Sequence, residues 1–180
     1  MREGKPVVLW ISGMEAKRKG IDAMLELVSA LKDKAHFLFL AVTDQVRETI
    51  AAKGLADDIE MHGIQNRDRL NQYFYPRADI FMLPSFGEGF PNSMLEAMAT
   101  GLPTITTPVG AIPEVLIPNE HGFINEPTDV SGMQRDLEYL LNNKKERLRM
   151  GENSYDLVCS SYSLDVVFSR YDQLWKSKLR

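Results

Sequence analysis

The sequence predicts an α/β fold in which a parallel sheet of about six strands is covered by helices on both faces and followed by a C-terminal helical segment. Two patterns predict it. Short apolar runs rich in β-branched residues alternate along the chain with stretches whose apolar residues recur every three or four positions. The short runs are apolar at consecutive rather than alternate positions, so their strands are buried on both faces, as parallel sheets require.

The first run, Val7-Val-Leu-Trp-Ile11, reads as a buried strand ended by Ser12-Gly13. A charged loop leads to a helix in which Ile21, Met24, Leu25, Val28 and Leu31 share one face. His36 to Val42 reads as a strand, Asp44 to Lys53 as a helix, Asp57-Asp58 as a turn and Ile59 to His62 as a short strand. Arg67 to Tyr75 reads as a helix, and Asp79 to Leu83 as a strand closed by Pro84-Ser85. Met94 to Ala99 is a helix stopped near Gly101, and Pro103 to Thr107 is a strand stopped by Pro108. Gly122-Phe-Ile-Asn125 supplies one more short strand. From Val130 onward the pattern is helical, with breaks at Asn142-Asn143 and around Ser160-Ser161. The division is a Rossmann-like three-layer domain over residues 1–161 and a C-terminal helix over 162–180. In that helix Leu164, Val167, Phe168, Tyr171, Leu174 and Trp175 form an apolar stripe that needs a surface to cover it. The plainest surface is the chain's own sheet; the other is a partner, which would favour dimerisation.

Composition narrows the function. A chain of 180 residues buries roughly 70% of its unfolded surface, so it needs no disulfide or metal to fold. With 44% hydrophobic and 26% charged residues, disorder and coiled coil are excluded as classes. The apolar runs Val7 to Ile11 and Phe37 to Val42 are far below membrane-span length. Cys159 is the single cysteine and no Cys/His pair has zinc spacing, which suits a soluble protein of a reducing, cytoplasmic compartment. A net charge of −4 argues against a nucleic-acid surface. Any anionic ligand is therefore held by a few local donors.

In an open parallel sheet those donors belong at the carboxyl ends of the strands. The loops there are Ser12 to Gly20, Gly63 to Asn66, Ser85 to Asn92 and Thr106 to Pro113. Gly87-Glu-Gly-Phe-Pro-Asn-Ser93 leads straight into a helix, whose first amides with glycine before them suit a phosphate. The first loop brings Lys17-Arg-Lys19, and together the two loops would form an anion pocket. Each half has a plainer structural reading. Ser93 and Glu96 have capping-box spacing, and the three cations could be a solvated loop. Neither Gly-x-Gly-x-x-Gly nor a Gly-x4-Gly-Lys-Ser/Thr loop is present. His36 reads as structural, while His62 and His121 fall in loops assigned to the cleft side.

The stretch Ala78-Asp-Ile-Phe-Met-Leu-Pro-Ser-Phe-Gly-Glu-Gly-Phe-Pro-Asn-Ser-Met-Leu-Glu-Ala-Met-Ala-Thr-Gly-Leu-Pro103 resembles the signature of the retaining glycosyltransferases of family 4, also called group 1. Its centre is a Glu-x7-Glu pattern, Glu88 and Glu96. Ser12-Gly13 through Lys19-Gly20, His62-Gly63-Ile64, Pro108-Val-Gly-Ala-Ile-Pro-Glu114 and Gly122-Phe-Ile-Asn125 match in order. The resemblance covers nearly the whole chain but only the C-terminal, donor-binding half of such an enzyme. It implies a GT-B fold with two Rossmann-like domains facing a cleft, and places the acceptor domain outside this chain.

The resemblance also assigns residues. Glu88 is expected near the hydroxyls of the donor sugar, with the amides of Gly89 and Phe90, and Glu96 is expected to accept from the ribose hydroxyls. Asn92, Ser93 and Met94 fall where helix-start amides meet the diphosphate. Lys19 matches the cation on the departing diphosphate, and Ile64 lies in the loop whose backbone meets the base. Gly13 is usually followed by arginine in this family, but here by Met14, a loss of about 1.5 to 3 kcal/mol of donor binding unless Lys17 or Arg18 supplies the charge.

Two functions compete. One is the donor-binding half of a retaining, metal-independent hexosyltransferase of polysaccharide biosynthesis. It would use a UDP- or GDP-sugar as substrate, without a separate cofactor, and transfer to a glycan or lipid-linked acceptor. Its catalytic residues would be Glu88 and Lys19, and the whole enzyme would sit at the inner face of the membrane. The other is a non-catalytic nucleotide-sugar module that acts with a partner subunit, which Met14 favours. A third, an epimerase of the same fold, fits the Glu-x7-Glu context less well. Without the acceptor half, the chain alone is expected to bind donor and not to transfer it.

Overall fold

The computed structural model describes residues 4 to 178. Its strands are β1 (Val7–Ile11), β2 (His36–Leu40), β3 (Ile59–Met61), β4 (Ile80–Leu83), β5 (Thr104–Thr106) and β6 (Gly122–Ile124). They form one sheet in the order β3-β2-β1-β4-β5-β6, and every pairing is parallel. The chain builds outward from β1 to β3, then returns across β1 to place β4 on its other side. That reversal opens a crevice at the carboxyl ends of β1 and β4, where ligands of such sheets bind.

The helices are α1 (Ile21–Leu31), α2 (Asp44–Ala52), α3 (Arg67–Arg69), α4 (Asn92–Met98), α5 (Ile112–Val115), α6 (Val130–Asn142), α7 (Lys144–Ser161) and α8 (Leu164–Lys178). Successive strand residues face opposite sides, so each strand feeds two cores. On one side Trp10, Phe37 and Phe39 pack with Met24, Val28 and Leu31 of α1 and Leu137 of α6. On the other, Leu9, Leu38, Phe81 and Leu83 pack with Phe74, Tyr75, Met94 and Met98. Side chains start three of the helices: Thr43 Oγ1 accepts from the Val46 amide at 3.4 Å, Asn66 Oδ1 from the Arg69 amide at 2.8 Å, and Asp129 Oδ1 from the Gly132 amide at 2.8 Å.

The sequence expectations hold for the strands, which are slightly shorter than read, and for the break between α6 and α7. Three elements differ. Arg67 to Tyr75 is not a uniform helix: α3 passes into a wide π turn at Leu70–Phe74 and then a tight 3₁₀ turn at Tyr75–Arg77. Within Thr106 to Pro113, read as loop, α5 begins at Ile112; four residues containing Pro113 are too few to show periodicity. The largest difference is α8. It does not pack on the sheet: none of its residues is buried, and Leu164, Phe168, Tyr171, Leu174 and Trp175 are each more than half exposed. The other helices already cover both sheet faces, so among the described residues the stripe meets only the end of α7. Val167, Tyr171 and Leu174 line a groove of about 260 Å³ with Tyr162.

Thr104 carries a local mismatch. Its neighbour Thr106 donates its hydroxyl to the Leu83 carbonyl at 3.0 Å, whereas the buried Thr104 Oγ1 has no hydrogen-bond partner among the described residues. Thr104→Val removes that unpaired group at similar volume and is expected to stabilise the domain by about 1 kcal/mol. Urea denaturation checks this, and a lower midpoint for the variant would contradict it.

Candidate functional site

The crevice is built by the loops that follow β1 and β4. Three contacts pin them together. The Phe86 amide donates to the Arg18 carbonyl at 2.8 Å, and the Arg18 guanidinium donates back to the Gly87 carbonyl. Gly20 lies against Pro84: a Cβ there would sit 2.0 Å from the Pro84 carbonyl oxygen. On the inner side, the buried Trp10 indole N–H donates to the Lys19 carbonyl at 3.0 Å. The backbone of Lys19 is therefore anchored from the core.

Lys19 and Glu88 meet at this junction. Lys19 Nζ donates to Glu88 Oε1 at 2.7 Å, and the buried Ser85 hydroxyl donates to the same oxygen at 2.7 Å. Glu88 Oε2 has the longer approach of Arg18, at 3.9 Å. The Glu88 side chain is only 7% exposed and that of Lys19 18%, so the pair sits in a partly dried environment where charges interact strongly. Thr107 fixes the base of the loop by donating to the Ser85 carbonyl at 2.5 Å. Gly110 lets a third loop close on it, since a Cβ there would fall 2.3 Å from the Glu88 carbonyl oxygen. Alongside, the Gly89 carbonyl accepts from the Ala111 amide at 3.0 Å.

The three cations of the first loop separate. Lys19 turns to Glu88; Arg18 bonds Glu15 at 2.5 and 2.9 Å and only approaches Glu88 at 3.9 Å; Lys17 turns to Asp22 at 2.8 Å and stays exposed. Lys17 and Arg18 thus each have a carboxylate partner within the loop and the first turn of α1, and only Lys19 makes a short bond to Glu88. Gly13 and the exposed Ile64 follow the carboxyl ends of β1 and β3, as read. Phe90 is half exposed and packs its ring on Tyr162, with centroids 6.0 Å apart.

At the start of α4 the capping box does not form. The residue before the helix is Pro91, no side chain caps it, and the Met94 amide is taken by the Pro91 carbonyl at 3.0 Å. Asn92 and Ser93 are the first two helical residues, whose amides have no partner within a helix. Glu96 bonds elsewhere: Tyr75 donates its hydroxyl to Oε2 at 3.0 Å, and Arg67 donates to Oε1 at 3.2 Å. Burial, with the charge of Glu96, pushes the Tyr75 hydroxyl far above its ordinary range, so it keeps its proton and acts as the donor. Ser85, Arg67 and Tyr75 were not legible as site residues. Ser85 reads as a strand stop and Arg67 and Tyr75 as the two ends of a helix, and only the tertiary contacts reveal their partners.

A family model described as glycosyl transferases group 1 matches residues 1–157. The chain belongs to the group 1 glycosyltransferases. Among curated proteins, this glycosyltransferase chain is 26% identical over 167 residues to the capsular polysaccharide biosynthesis glycosyltransferase CapM of Staphylococcus aureus, covering 90% of the chain and 40% of CapM. It therefore spans less than half the length of that relative. Among solved structures it matches the C-terminal domain of a group 1 glycosyltransferase, LpcC, from Francisella tularensis, with TM-score 0.73 and 25% identity over 89% of this chain and 87% of that one. It also shares the fold of Anabaena HepE solved in complex with UDP-glucose, with TM-score 0.84 and 14% identity over 96% of this chain and 49% of that one. Its sheet and covering helices are those of the C-terminal domain of a GT-B enzyme.

The histidines of this group 1 glycosyltransferase domain lie outside the Lys19–Glu88 junction. His121 does not face the cleft: it precedes β6 at the opposite edge of the sheet, is 5% exposed, and accepts from the Ile117 amide through Nδ1 at 3.1 Å. His36 and His62 flank Glu60 of β3, each with Nε2 2.7 Å from a carboxylate oxygen. Arg77 clamps the same carboxylate at 2.8 and 3.0 Å. An ionised carboxylate only accepts, so both Nε2 atoms carry a proton. Burial alone would push Glu60 up, but hydrogen bonds from Arg77, His62 and His36, with the charge of Arg77, outweigh it and hold the group at about 2. Among the described residues no group of three or more His, Cys, Asp and Glu could hold a metal ion, and no helix is long and apolar enough to cross a membrane.

That cluster predicts an acid sensitivity. A depressed folded-state value gives stability that is complete above pH 4.5, the ordinary value, and is lost as pH falls toward about 2. The loss is expected to be about 2 to 3 kcal/mol. Comparing urea midpoints at pH 7 and pH 3 should show a large drop for the wild type and a much smaller one for Glu60→Gln. Equal drops would place the acid-sensitive group elsewhere.

Proposed function

We propose that this chain is the donor-binding half of a retaining hexosyltransferase that takes a hexose from a UDP- or GDP-sugar, with Lys19 and Glu88 as its catalytic residues. The observation that carries the reading is the Lys19–Glu88–Ser85 constellation at the junction of the β1 and β4 loops, with Glu96 on the helix that follows. The HepE complex with UDP-glucose, in the same fold, supports the choice of ligand class.

In the reaction the bond between the anomeric carbon and the diphosphate breaks. Negative charge grows on the departing diphosphate while positive charge grows on the sugar, so donors aimed at the phosphates stabilise the transition state. Lys19 Nζ has three N–H bonds and spends one on Glu88 Oε1, which leaves two for phosphate oxygens. Arg18 is the nearer replacement for the charge that Met14 does not supply: it lies 3.9 Å from Glu88 Oε2, and its exposed pair with Glu15, like that of Lys17 with Asp22, exchanges at little cost. With Arg18 beside the site, Met14 alone does not favour a non-catalytic module. The Asn92 and Ser93 amides add the helix-start donors, and no metal is required. Glu88 Oε2 remains to accept a sugar hydroxyl beside the Gly89 and Phe90 amides, and Glu96 takes the ribose. Ile64 and Gly13 line the base and phosphate sides.

Acceptor recognition falls to a second domain, which the exposed face of α8 would meet; in its absence a second copy of the chain could occupy that face. The whole enzyme would work in the cytoplasm at the membrane's inner face, on a glycan or lipid-linked acceptor. Calorimetry with UDP-glucose and GDP-mannose tests the donor reading. Saturable binding of at least one at millimolar concentration or below is expected, and binding of neither would overturn it.

A further inference from the structure

Glu96 is held from two sides by a single irregular segment. Arg67 opens the run Arg67–Arg77 and Tyr75 begins its closing 3₁₀ turn, with the rest of α3 and the wide π turn Leu70–Phe74 between them. In a regular helix residues eight apart are displaced by about 12 Å along the axis. Here both reach one carboxylate, at 3.0 and 3.2 Å. Wide π turns inside helical segments often mark functional sites.

The two partners differ in kind. Tyr75 is 0% exposed, packed in the core beside Phe74, and its hydroxyl leaves the core only to reach Glu96 Oε2 and, at 3.4 Å, the Ser93 carbonyl. The Arg67 side chain is 76% exposed. An exposed ion pair is weak and easily exchanged, while a buried hydrogen bond to a carboxylate is kept. A ribose diol needs acceptor lone pairs in a fixed direction, and a carboxylate has about four, of which Tyr75 uses one.

We propose that Tyr75 is a positioning residue for Glu96, fixing the carboxylate by holding Oε2, and that Arg67 is its exchangeable partner, covering Oε1 until a ribose hydroxyl of the bound nucleotide replaces it. This rests on the reading of Glu96 as the ribose acceptor given above. Arg67 thus keeps the carboxylate partnered when the site is empty and releases it at little cost. Tyr75 keeps it aimed in both states.

The test is a titration of the wild type, Tyr75→Phe and Arg67→Ala with UDP, GDP and their 2′,3′-dideoxy counterparts, with thermal unfolding as a check on folding. Tyr75→Phe keeps the ring and is expected to weaken the ribonucleotide about tenfold while changing the dideoxy compound less than about twofold, because the latter gives Glu96 nothing to hold. Arg67→Ala frees Glu96 Oε1 from its exposed ion pair and is expected to tighten ribonucleotide binding about twofold. Equal weakening of both ligands by Tyr75→Phe would mean a merely structural tyrosine, and weakening by Arg67→Ala would mean a direct nucleotide contact; either overturns the proposal. If the wild type binds neither UDP nor GDP, it is the donor reading that fails. If it binds the ribo and dideoxy forms equally, Glu96 is not the ribose acceptor.

Discussion

Lys19→Met should weaken UDP-glucose or GDP-mannose binding by one to two orders of magnitude, about 1.5 to 3 kcal/mol, because the ammonium is the best-placed cation for the diphosphate. Uridine or guanosine, which carry no phosphate, should be bound as before. The same change leaves Glu88, only 7% exposed, with Ser85 as its one short partner and Arg18, at 3.9 Å, as its nearest cation. Breaking such a pair from one side is costly, so a stability loss of about 2 to 3 kcal/mol is expected in urea denaturation. The double variant Lys19→Met, Glu88→Gln removes both charges and should regain most of that stability without regaining donor affinity. A variant that loses stability but binds the diphosphate normally would make the pair a brace for the loops and nothing more.

Gly20→Ala should be the most damaging single methyl group in the site. Gly20 has φ +79° and a Cβ there would lie 2.0 Å from the Pro84 carbonyl oxygen, a backbone atom that cannot swing away. A left-handed alanine costs about 1 to 2 kcal/mol, and the collision must also push the β1 and β4 loops apart, for a total of at least about 3 kcal/mol. Separating those loops also separates Lys19 from Glu88, so donor affinity should fall with stability. Gly13→Ala is the control. Its φ is +65° but nothing lies within 4 Å of the added carbon, so only the conformational cost of about 1 kcal/mol is expected. Equal midpoints for Gly20→Ala and the wild type would show that the loops are not braced at Pro84.

Much of this site was readable in one dimension because its parts are local. Glu88 and Glu96 stand eight residues apart on one loop and the helix it enters, and Lys19-Gly20 close the loop after the first strand. Consecutive apolar positions in Val7–Ile11 and Ile80–Leu83 require burial on both faces, so a parallel sheet was legible, and with it the edge at which loops gather. Other features were not local and misled. Ser93 and Glu96 have the spacing of a capping box, yet Glu96 bonds to Tyr75 and Arg67, which lie 21 and 29 residues earlier. Lys17 sits beside Lys19 in sequence but bonds to Asp22.

Thus the sequence by itself determined the sheet and the loops that gather at its carboxyl edge, with the two glutamates on one of them and the helix it enters, because periodicity and motif spacing act over a few residues. Tertiary structure decided which side chains are partnered. It sent Lys19 to Glu88, Tyr75 to Glu96 and His121 to the far edge of the sheet, and it left α8 uncovered. A hydrogen bond depends on where two backbones come to lie, and that is set by the packing of the whole core rather than by either residue's neighbours in the chain.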